Sequence, residues 1–196
     1  INQLLPGHAL EVKNGKVRIW RYWDVNYQID FENSSTYFHN RLRELLEDSI
    51  ALHGRSDVPV GSYVSGGIDS SLIYGLSQKN SSSSPLGFHG RFTDYPGYDE
   101  SNYAHAAAEH IDGELSCIDM NAEDFRNHIQ KTIYHLDFPV AGPGSFPQYM
   151  VSKLAAEKVK VVLGGQGGDE IFGGYARYVV AYFEQCIKAA IDGHIG

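Results

Sequence analysis

The chain has 196 residues, of which 42% are hydrophobic and 20% are charged, as is usual for a soluble globular protein of one large domain or one domain plus a fragment. Its formal net charge of -8 argues against a general binder of nucleic acids or of anionic membranes, since such proteins usually carry a basic excess. Cys117 and Cys186 lie far apart without metal-ligand spacing, which predicts reduced thiols in a cytoplasmic protein. No signal peptide is recognisable, and no apolar run reaches the roughly 18 residues of a membrane helix.

The first 33 residues predict a small hairpin followed by a polar connector. Residues Ala9 to Trp20 alternate between apolar and polar around Asn14-Gly15, a dipeptide typical of a two-residue hairpin turn. Ser34 or Ser35 then predicts the start of a helix that runs to about Leu52. We therefore expect residues 1–33 to form a separate segment and residues 34–196 to form the main domain.

The rest of the chain alternates between strands and helices, which predicts crossover units and a doubly wound, mostly parallel sheet with helices on both faces. The continuous apolar run of the fourth strand predicts that this strand is buried. Ligands of such α/β sheets bind at the carboxyl ends of the strands. The predicted strands are Val58–Val64, Leu86–Phe92, Glu114–Met120 and Val159–Leu163, and the predicted helices are Asp69–Gln78, Asp99–Ile111, a helix capped by Asn121 that ends near Leu136, and one that follows Pro147 and ends near Lys158.

A glycine-rich turn follows the first strand of this sheet, where the chain reads YVSGGIDSSLIYG from Tyr63 to Gly75. Ser65, Gly66 and Gly67 can direct backbone N–H groups toward one point, and the following helix adds the positive end of its dipole. Glycine lets an anion approach the backbone closely, and the hydroxyl groups of Ser65 and Ser70 are further donors. The turn therefore predicts a site for phosphate or pyrophosphate.

Asp69 is unexpected beside an anion site, because its carboxylate would repel a phosphate. A Mg²⁺ ion between the two would remove this repulsion, since Mg²⁺ binds few carboxylates together with phosphate oxygens. The alternative is that Asp69 only complements the dipole at the start of its helix.

A second glycine-rich turn follows the fourth strand, where the chain reads VKVVLGGQGGDEIFGGYARY from Val159 to Tyr178. Two such turns on neighbouring strands would face each other across one cleft, and Asp169 could then share a metal ion with Asp69. Asp169 and Glu170 could equally be charges at the start of a helix, and Gly173-Gly174 could end that helix.

The SGGIDS stretch resembles the PP-loop of the ATP-pyrophosphatase superfamily, which cleaves ATP to AMP and pyrophosphate. The second turn resembles the signature SG(E/D)G(A/S/G)DE(L/V/I)FGGY of asparagine synthetases, and LLPGHALEV and YWD near the start resemble the junction that follows the glutaminase domain of that family. The resemblance covers nearly the whole chain and implies an ATP-dependent carbon–nitrogen ligase. In the family, ATP activates the side-chain carboxylate of aspartate as an acyl-adenylate, and ammonia then displaces AMP.

The resemblance also implies roles for individual residues. Tyr63 and Gly90 match adenine-contacting positions only loosely, and Tyr63 could instead be a buried aromatic residue of its strand. Gln166, Asp169 and Glu170 are the catalytic candidates. The residues expected to bind ATP are Tyr63, Ser65, Gly66, Gly67, Asp69, Ser70, Gly90, Gly164 and Gly165, and those expected to bind Mg²⁺ are Asp69 and Asp169.

The sequence departs from the family pattern at several places. Gln166 replaces an acid, and an amide can neither act as a base nor carry a charge. Either the reaction is slow, or the acceptor acid differs, or another carboxylate such as Glu170 serves. Gly164 replaces a serine. The loop 138–146 contains no arginine for a substrate carboxylate, which puts aspartate in doubt. We also expect the family's domain to continue past residue 196 and its glutaminase domain, the source of ammonia, to lie outside this chain.

Three functions therefore stay open at this point. The chain is an aspartate-amidating synthetase domain, or a related amidotransferase or β-lactam-type synthetase for another carboxylate, or a nucleotide-binding relic that works through a partner. Expected partners are ATP, a carboxylic acid and the missing glutaminase domain, with a homodimer left open and with neither nucleic acid nor membrane.

Overall fold

In a computed structural model of the chain, the described residues are 2–26, 28, 30–78, 84–95, 97–138 and 142–193. They divide into two compact units, residues 1–43 and 44–196. Both cysteines are free thiols, and no helix among the described residues has the length and apolarity needed to cross a membrane. The strands are β1 (His8–Lys13), β2 (Lys16–Arg21), β3 (Val60–Tyr63), β4 (Leu86–Arg91), β5 (Glu114–Asp119) and β6 (Val161–Leu163), and the helices are α1 (Ser35–His53), α2 (Ile68–Gln78), α3 (Ser101–His110), α4 (Ala122–His135), α5 (Ser145–Ala155), α6 (Gly168–Phe172) and α7 (Ala176–Ile191).

The first unit contains the predicted hairpin. Strands β1 and β2 pair antiparallel from His8 opposite Arg21 to Lys13 opposite Lys16. Asn14 and Gly15 both have positive φ, at 51° and 72°, as a two-residue turn of the mirror-image type requires. The division between the units falls after Arg43, within α1, so the domain boundary expected at residue 34 stays a prediction.

The second unit contains a parallel sheet of four strands in the order β5-β4-β3-β6, flanked by helices on both faces. On one face, Val64 and Tyr74 pack with the α3 residues Ala104 and Ala108. On the other face, Phe88 packs with Val151 and other residues of α5. These two apolar layers confirm the α/β fold expected from the alternating pattern.

Two local expectations were wrong. Strand β6 is not enclosed on both sides: among the described strands it pairs only with β3, and Val161 is exposed. A continuous apolar run therefore did not distinguish an edge position from a central one. Helix α5 begins at Ser145, before Pro147, because proline is tolerated in a first turn, where the N–H groups have no intrahelical partner.

Candidate functional site

The two glycine-rich turns follow the two strands between which the order of the sheet reverses. The chain passes from β3 outward to β4 and β5 and then returns to place β6 on the other side of β3. In open α/β sheets this reversal leaves a crevice at the carboxyl ends of the two strands, and ligands bind there. Ser65 to Gly67 follow β3, and Gly164 to Gly168 follow β6.

Hydrogen bonds within the first turn give it a defined shape. The backbone N–H of Ser65 donates to Ser70 Oγ over 3.1 Å, and the N–H of Gly67 donates to Ser65 Oγ over 3.3 Å. Ser70 Oγ in turn donates to the Gly67 carbonyl over 3.1 Å. The two serine Oγ atoms are 2.9 Å apart. Because the Ser70 hydroxyl already donates to the Gly67 carbonyl, the Ser65 hydroxyl is the donor between the two serines. Ser70 is buried, whereas Ser65 and Gly67 face the exterior.

Gly66 occupies a position that a larger residue could not enter without strain. Its φ is +96°, and a Cβ atom there would lie 2.9 Å from the Glu100 carbonyl oxygen and 3.0 Å from Tyr103 Cβ. The turn therefore packs against the first turn of α3. At Gly67, by contrast, the nearest atom to an added Cβ would be Ser65 Oγ at 3.4 Å, so this side of the turn is open.

The second turn packs directly on Asp69 at the start of α2. A Cβ atom on Gly168 would lie 2.6 Å from Asp69 Cγ, and one on Gly165 would lie 3.0 Å from the Ser70 backbone nitrogen. Glycine at both places lets two backbone segments and one carboxylate come together. The structure thus brings the two sequence motifs into contact, with the half-buried Asp69 between them.

Gln166 folds back over Gly164. A Cβ atom on Gly164 would overlap Gln166 Oε1 and would lie 3.2 Å from Gln166 Cδ. The side chain of Gln166 thus occupies space that any side chain at position 164 would need. The two residues that differ from the family signature, Gly164 and Gln166, therefore depend on each other sterically.

Asp169 and Glu170 belong to α6 and have partners near the end of that helix. A Cβ atom on Gly174 would lie 2.9 Å from Asp169 Cγ, so this carboxyl group is beside the glycine that follows α6. Glu170 accepts a hydrogen bond of 2.9 Å from the Tyr175 hydroxyl, which lowers the pKa of the Glu170 carboxyl and keeps it ionised. Among the described residues, no group of three or more acidic, histidine or cysteine side chains forms a metal site.

A cavity of about 210 Å³ opens beside the first turn, at the carboxyl ends of β3 and β4. It brings together Tyr63, Ser65 and Gly90. Met120 and Val151 explain the glycine of β4, since a Cβ atom on Gly90 would overlap Met120 Cε and would lie 3.0 Å from Val151 Cγ2. The Tyr63 hydroxyl is 2.8 Å from Ser152 Oγ, so this aromatic residue links β3 to α5.

The cavity also contains residues to which the sequence analysis gave no role. His89, Glu100, Met120 and Gln148 all line it. A histidine within an apolar strand was the available signal for His89, but its contacts with a neighbouring strand and a helix are not visible in the sequence.

Comparison with known proteins gives consistent matches. Asparagine synthetase (glutamine-hydrolyzing) 1 of Bacillus subtilis is 31% identical over 182 residues, which is 91% of this chain and 28% of that protein. Asparagine synthetase B (glutamine-hydrolyzing) of Escherichia coli is 31% identical over 188 residues, 89% of this chain and 34% of that protein. The amidase chyE of Penicillium rubens is 27% identical over 193 residues, 89% of this chain and 29% of that protein.

The chain spans about a third or less of the length of these relatives. The family model for asparagine synthase matches residues 41–192, a range that contains all four strands of the parallel sheet and both glycine-rich turns. The chain therefore belongs to the asparagine synthase family.

Proposed function

We propose that this chain provides the ATP-binding part of an amide-forming synthetase, in which ATP adenylates the side-chain carboxylate of aspartate and ammonia then displaces AMP. The contact between the two glycine-rich turns, with Asp69 between them at the reversal of the sheet, carries this proposal. A crevice of this kind suits a nucleotide, and the similarity to asparagine synthetases supports the chemistry.

The first turn would hold the β- and γ-phosphates, which leave as pyrophosphate. The backbone N–H groups of Gly66 and Gly67 and the start of the 11-residue helix α2 favour an anion at this place, while the Ser65 N–H, expected from the sequence to join them, instead donates to Ser70 Oγ and shapes the turn. In this structure the Ser65 hydroxyl accepts a hydrogen bond from the Gly67 N–H. A bound phosphate oxygen would replace that hydroxyl as the acceptor. Ser70 would support the turn from its buried side, and the cavity beside Tyr63 and Gly90 would receive the nucleoside.

Asp69 and Asp169 fit a magnesium ion that is held mainly by phosphate oxygens. Such ions need only one or two carboxylates from the protein, since phosphate oxygens and water are their other ligands. When bound, Mg²⁺ would offset the negative charge of the triphosphate beside a substrate carboxylate. Gly168 leaves room for the Asp69 carboxylate beside the second turn, because a side chain there would overlap it.

Proton transfer from ammonia needs an acceptor other than Gln166, which has no basic group. Glu170 is ionised, since the hydrogen bond from Tyr175 lowers its pKa, and it lies in the helix that follows the second turn. We assign this role to Glu170, while Gln166 and Gly164 would orient the nucleotide through hydrogen bonds. Ammonia would come from a glutaminase domain outside this chain.

A related synthetase for a different carboxylate is the second candidate. Gln166 in place of an acid favours it, as does the similarity to an amidase of Penicillium rubens. The arginine-free loop 138–146 lies partly outside the described residues, but a neighbouring cavity of about 440 Å³ between α4 and α5 contains Lys153 and His135. The ammonium group of Lys153 would pair with a substrate carboxylate as a single point charge, whereas an arginine would form two parallel hydrogen bonds with it.

The test is exchange of labelled pyrophosphate into ATP by the full-length protein, with aspartate and with a panel of other carboxylic acids. Exchange that depends on aspartate supports the first function. Exchange with another acid alone replaces it by the second candidate. Saturable ATP binding without exchange for any acid would contradict both and favour a nucleotide-binding relic.

A further inference from the structure

His89 is a buried polar residue in the middle of strand β4, between Phe88 and Gly90. Its side chain is 3% exposed, and it forms part of the wall of the cavity beside the first glycine-rich turn. A buried imidazole needs hydrogen-bond partners to offset its loss of hydration. Nδ1 has such a partner, and Nε2 faces a hydroxyl group of another element.

The first partner is the peptide group that leads into the turn. Val64 is the residue directly before Ser65, and its N–H donates to the Phe88 carbonyl over 2.9 Å. The Val64 carbonyl accepts a hydrogen bond of 2.6 Å from His89 Nδ1. Because a carbonyl oxygen can only accept, the proton of this bond must be on Nδ1. Strand β4 therefore holds Val64 through its backbone and through a side chain.

The other ring nitrogen faces the start of helix α3. His89 Nε2 is 3.3 Å from Ser101 Oγ, and Ser101 donates its single hydroxyl proton to Asp99 Oδ1 over the shorter distance of 2.5 Å, so Nε2 contacts this hydroxyl without receiving its proton. Asp99 is ionised, because the hydrogen bond from Ser101 lowers its pKa. The same first turn of α3 is the surface against which Gly66 packs, at the Glu100 carbonyl. His89 thus lies between the two structures that hold the turn.

This arrangement controls where the N–H groups of the turn point. Val64 is the last residue with a backbone bond to β4, so a change in its carbonyl direction would rotate the peptide plane that carries the Ser65 N–H. Groups that recognise a reacting phosphate must be held within a fraction of an ångström. An unpaired buried carbonyl at Val64 would turn toward another donor.

We propose that His89 is a positioning residue that fixes the Ser65–Gly67 turn for phosphate binding, through the hydrogen bond from its Nδ1 to the Val64 carbonyl. The proposal rests on the function proposed above, that this turn binds the phosphates of ATP. Burial lowers the pKa of His89, against the opposing effects of the Val64 bond and the Asp99 charge, so the ring is neutral at neutral pH and acts as a donor only through Nδ1.

The geometry suggests a matched pair of variants. The side-chain amide nitrogen of asparagine can occupy the position of Nδ1, whereas that of glutamine reaches the position of Nε2. His89→Asn therefore keeps the donor to Val64, while His89→Gln and the apolar His89→Leu lose it. His105→Leu, a change at an exposed histidine of α3, is the control for the loss of an imidazole.

The experiment measures the affinities of the full-length protein for ATP with Mg²⁺ and for adenosine, by calorimetric titration. We expect His89→Gln and His89→Leu to weaken ATP binding about tenfold. This is the size expected for the loss of one charge-assisted hydrogen bond between the turn and a phosphate oxygen. Adenosine affinity should fall much less than ATP affinity, since His89 touches the nucleoside cavity only as part of its wall. His89→Asn should restore most of the ATP affinity that His89→Gln loses, and His105→Leu should bind ATP as the unchanged protein does. A general loss of packing would instead weaken both ligands together.

Unchanged ATP affinity in the glutamine and leucine variants would overturn the role of His89 alone. No ATP binding by the unchanged protein would overturn the proposed function and this role with it. A further measurement does not depend on how the variants fold: ¹⁵N NMR of the unchanged protein should show neutral His89 protonated on Nδ1. The tautomer protonated on Nε2 would contradict the proposal.

Discussion

Replacement of Gly66 by alanine should destabilise the protein substantially. The φ of +96° is unfavourable for any L-residue with a side chain, at a cost of about 1–2 kcal/mol. The added methyl group would also meet the Glu100 carbonyl oxygen at 2.9 Å and Tyr103 Cβ at 3.0 Å, and overpacking of this kind costs about 1–3 kcal/mol. Both neighbours belong to the start of α3, where a backbone atom cannot move aside as a side chain would. We therefore expect a loss of about 2–5 kcal/mol in the free energy of unfolding.

Urea denaturation followed by far-UV circular dichroism would measure this loss as a lower midpoint at an unchanged slope. Gly67→Ala is the matched control, since it adds the same methyl group one residue later, where the nearest atom is 3.4 Å away. The control should change the free energy of unfolding by less than about 0.5 kcal/mol. It should still weaken ATP binding, because its methyl group stands where a phosphate approaches the backbone. Equal midpoints for Gly66→Ala and Gly67→Ala would refute the reasoning about the turn.

Three further predictions concern other parts of the second unit. Burial, and secondarily the charge of Glu114, raises the pKa of Tyr74 to about 12, so the folded state keeps this proton while the unfolded state loses it above its ordinary value near 10. Stability should therefore fall as the pH rises from about 10 toward 12, and urea midpoints measured across that range should fall less in Tyr74→Phe; parallel curves would contradict this. Asn121→Ala removes the side-chain acceptor of the Glu123 and Asp124 N–H groups and should cost about 1 kcal/mol in the same assay, whereas no loss would show that these two hydrogen bonds contribute nothing to stability. Asp69→Asn should weaken ATP binding in the presence of Mg²⁺ and change binding in its absence much less; equal losses in both conditions would argue against a metal ligand.

Local patterns in the sequence were sufficient for most of the fold. Alternation around Asn14-Gly15 predicted the hairpin, because positive φ at both turn residues is nearly restricted to such dipeptides. Asn121 predicted a helix start, and its side chain accepts the two N–H groups that lack intrahelical partners. The apolar run before Leu163 predicted a strand correctly but not its place at the edge, since the number of neighbours of a strand is not a local property.

The candidate site could be predicted only in part. Two glycine-rich turns after two strands indicated two parts of one crevice, since the carboxyl ends of parallel strands lie at the same edge of a sheet. Their actual contact at Asp69, and the overlap between Gln166 and position 164, depend on the reversal of strand order beside β3. Whether Asp69 and Asp169 share a metal ion stays a prediction.

The sequence by itself determined the positions of strands and helices, through the spacing of their apolar residues, and also the glycine-rich turns and the family signatures. Each of these is encoded within a few neighbouring residues. Only the tertiary structure decided that Gly66 must be glycine because of α3, and that His89 meets Val64 and Ser101. These contacts join residues 12 to 37 positions apart in the chain, and no periodicity or turn preference specifies them. They arise because the parallel sheet places β3 beside β4 and because α3, which connects β4 to β5, packs against β4.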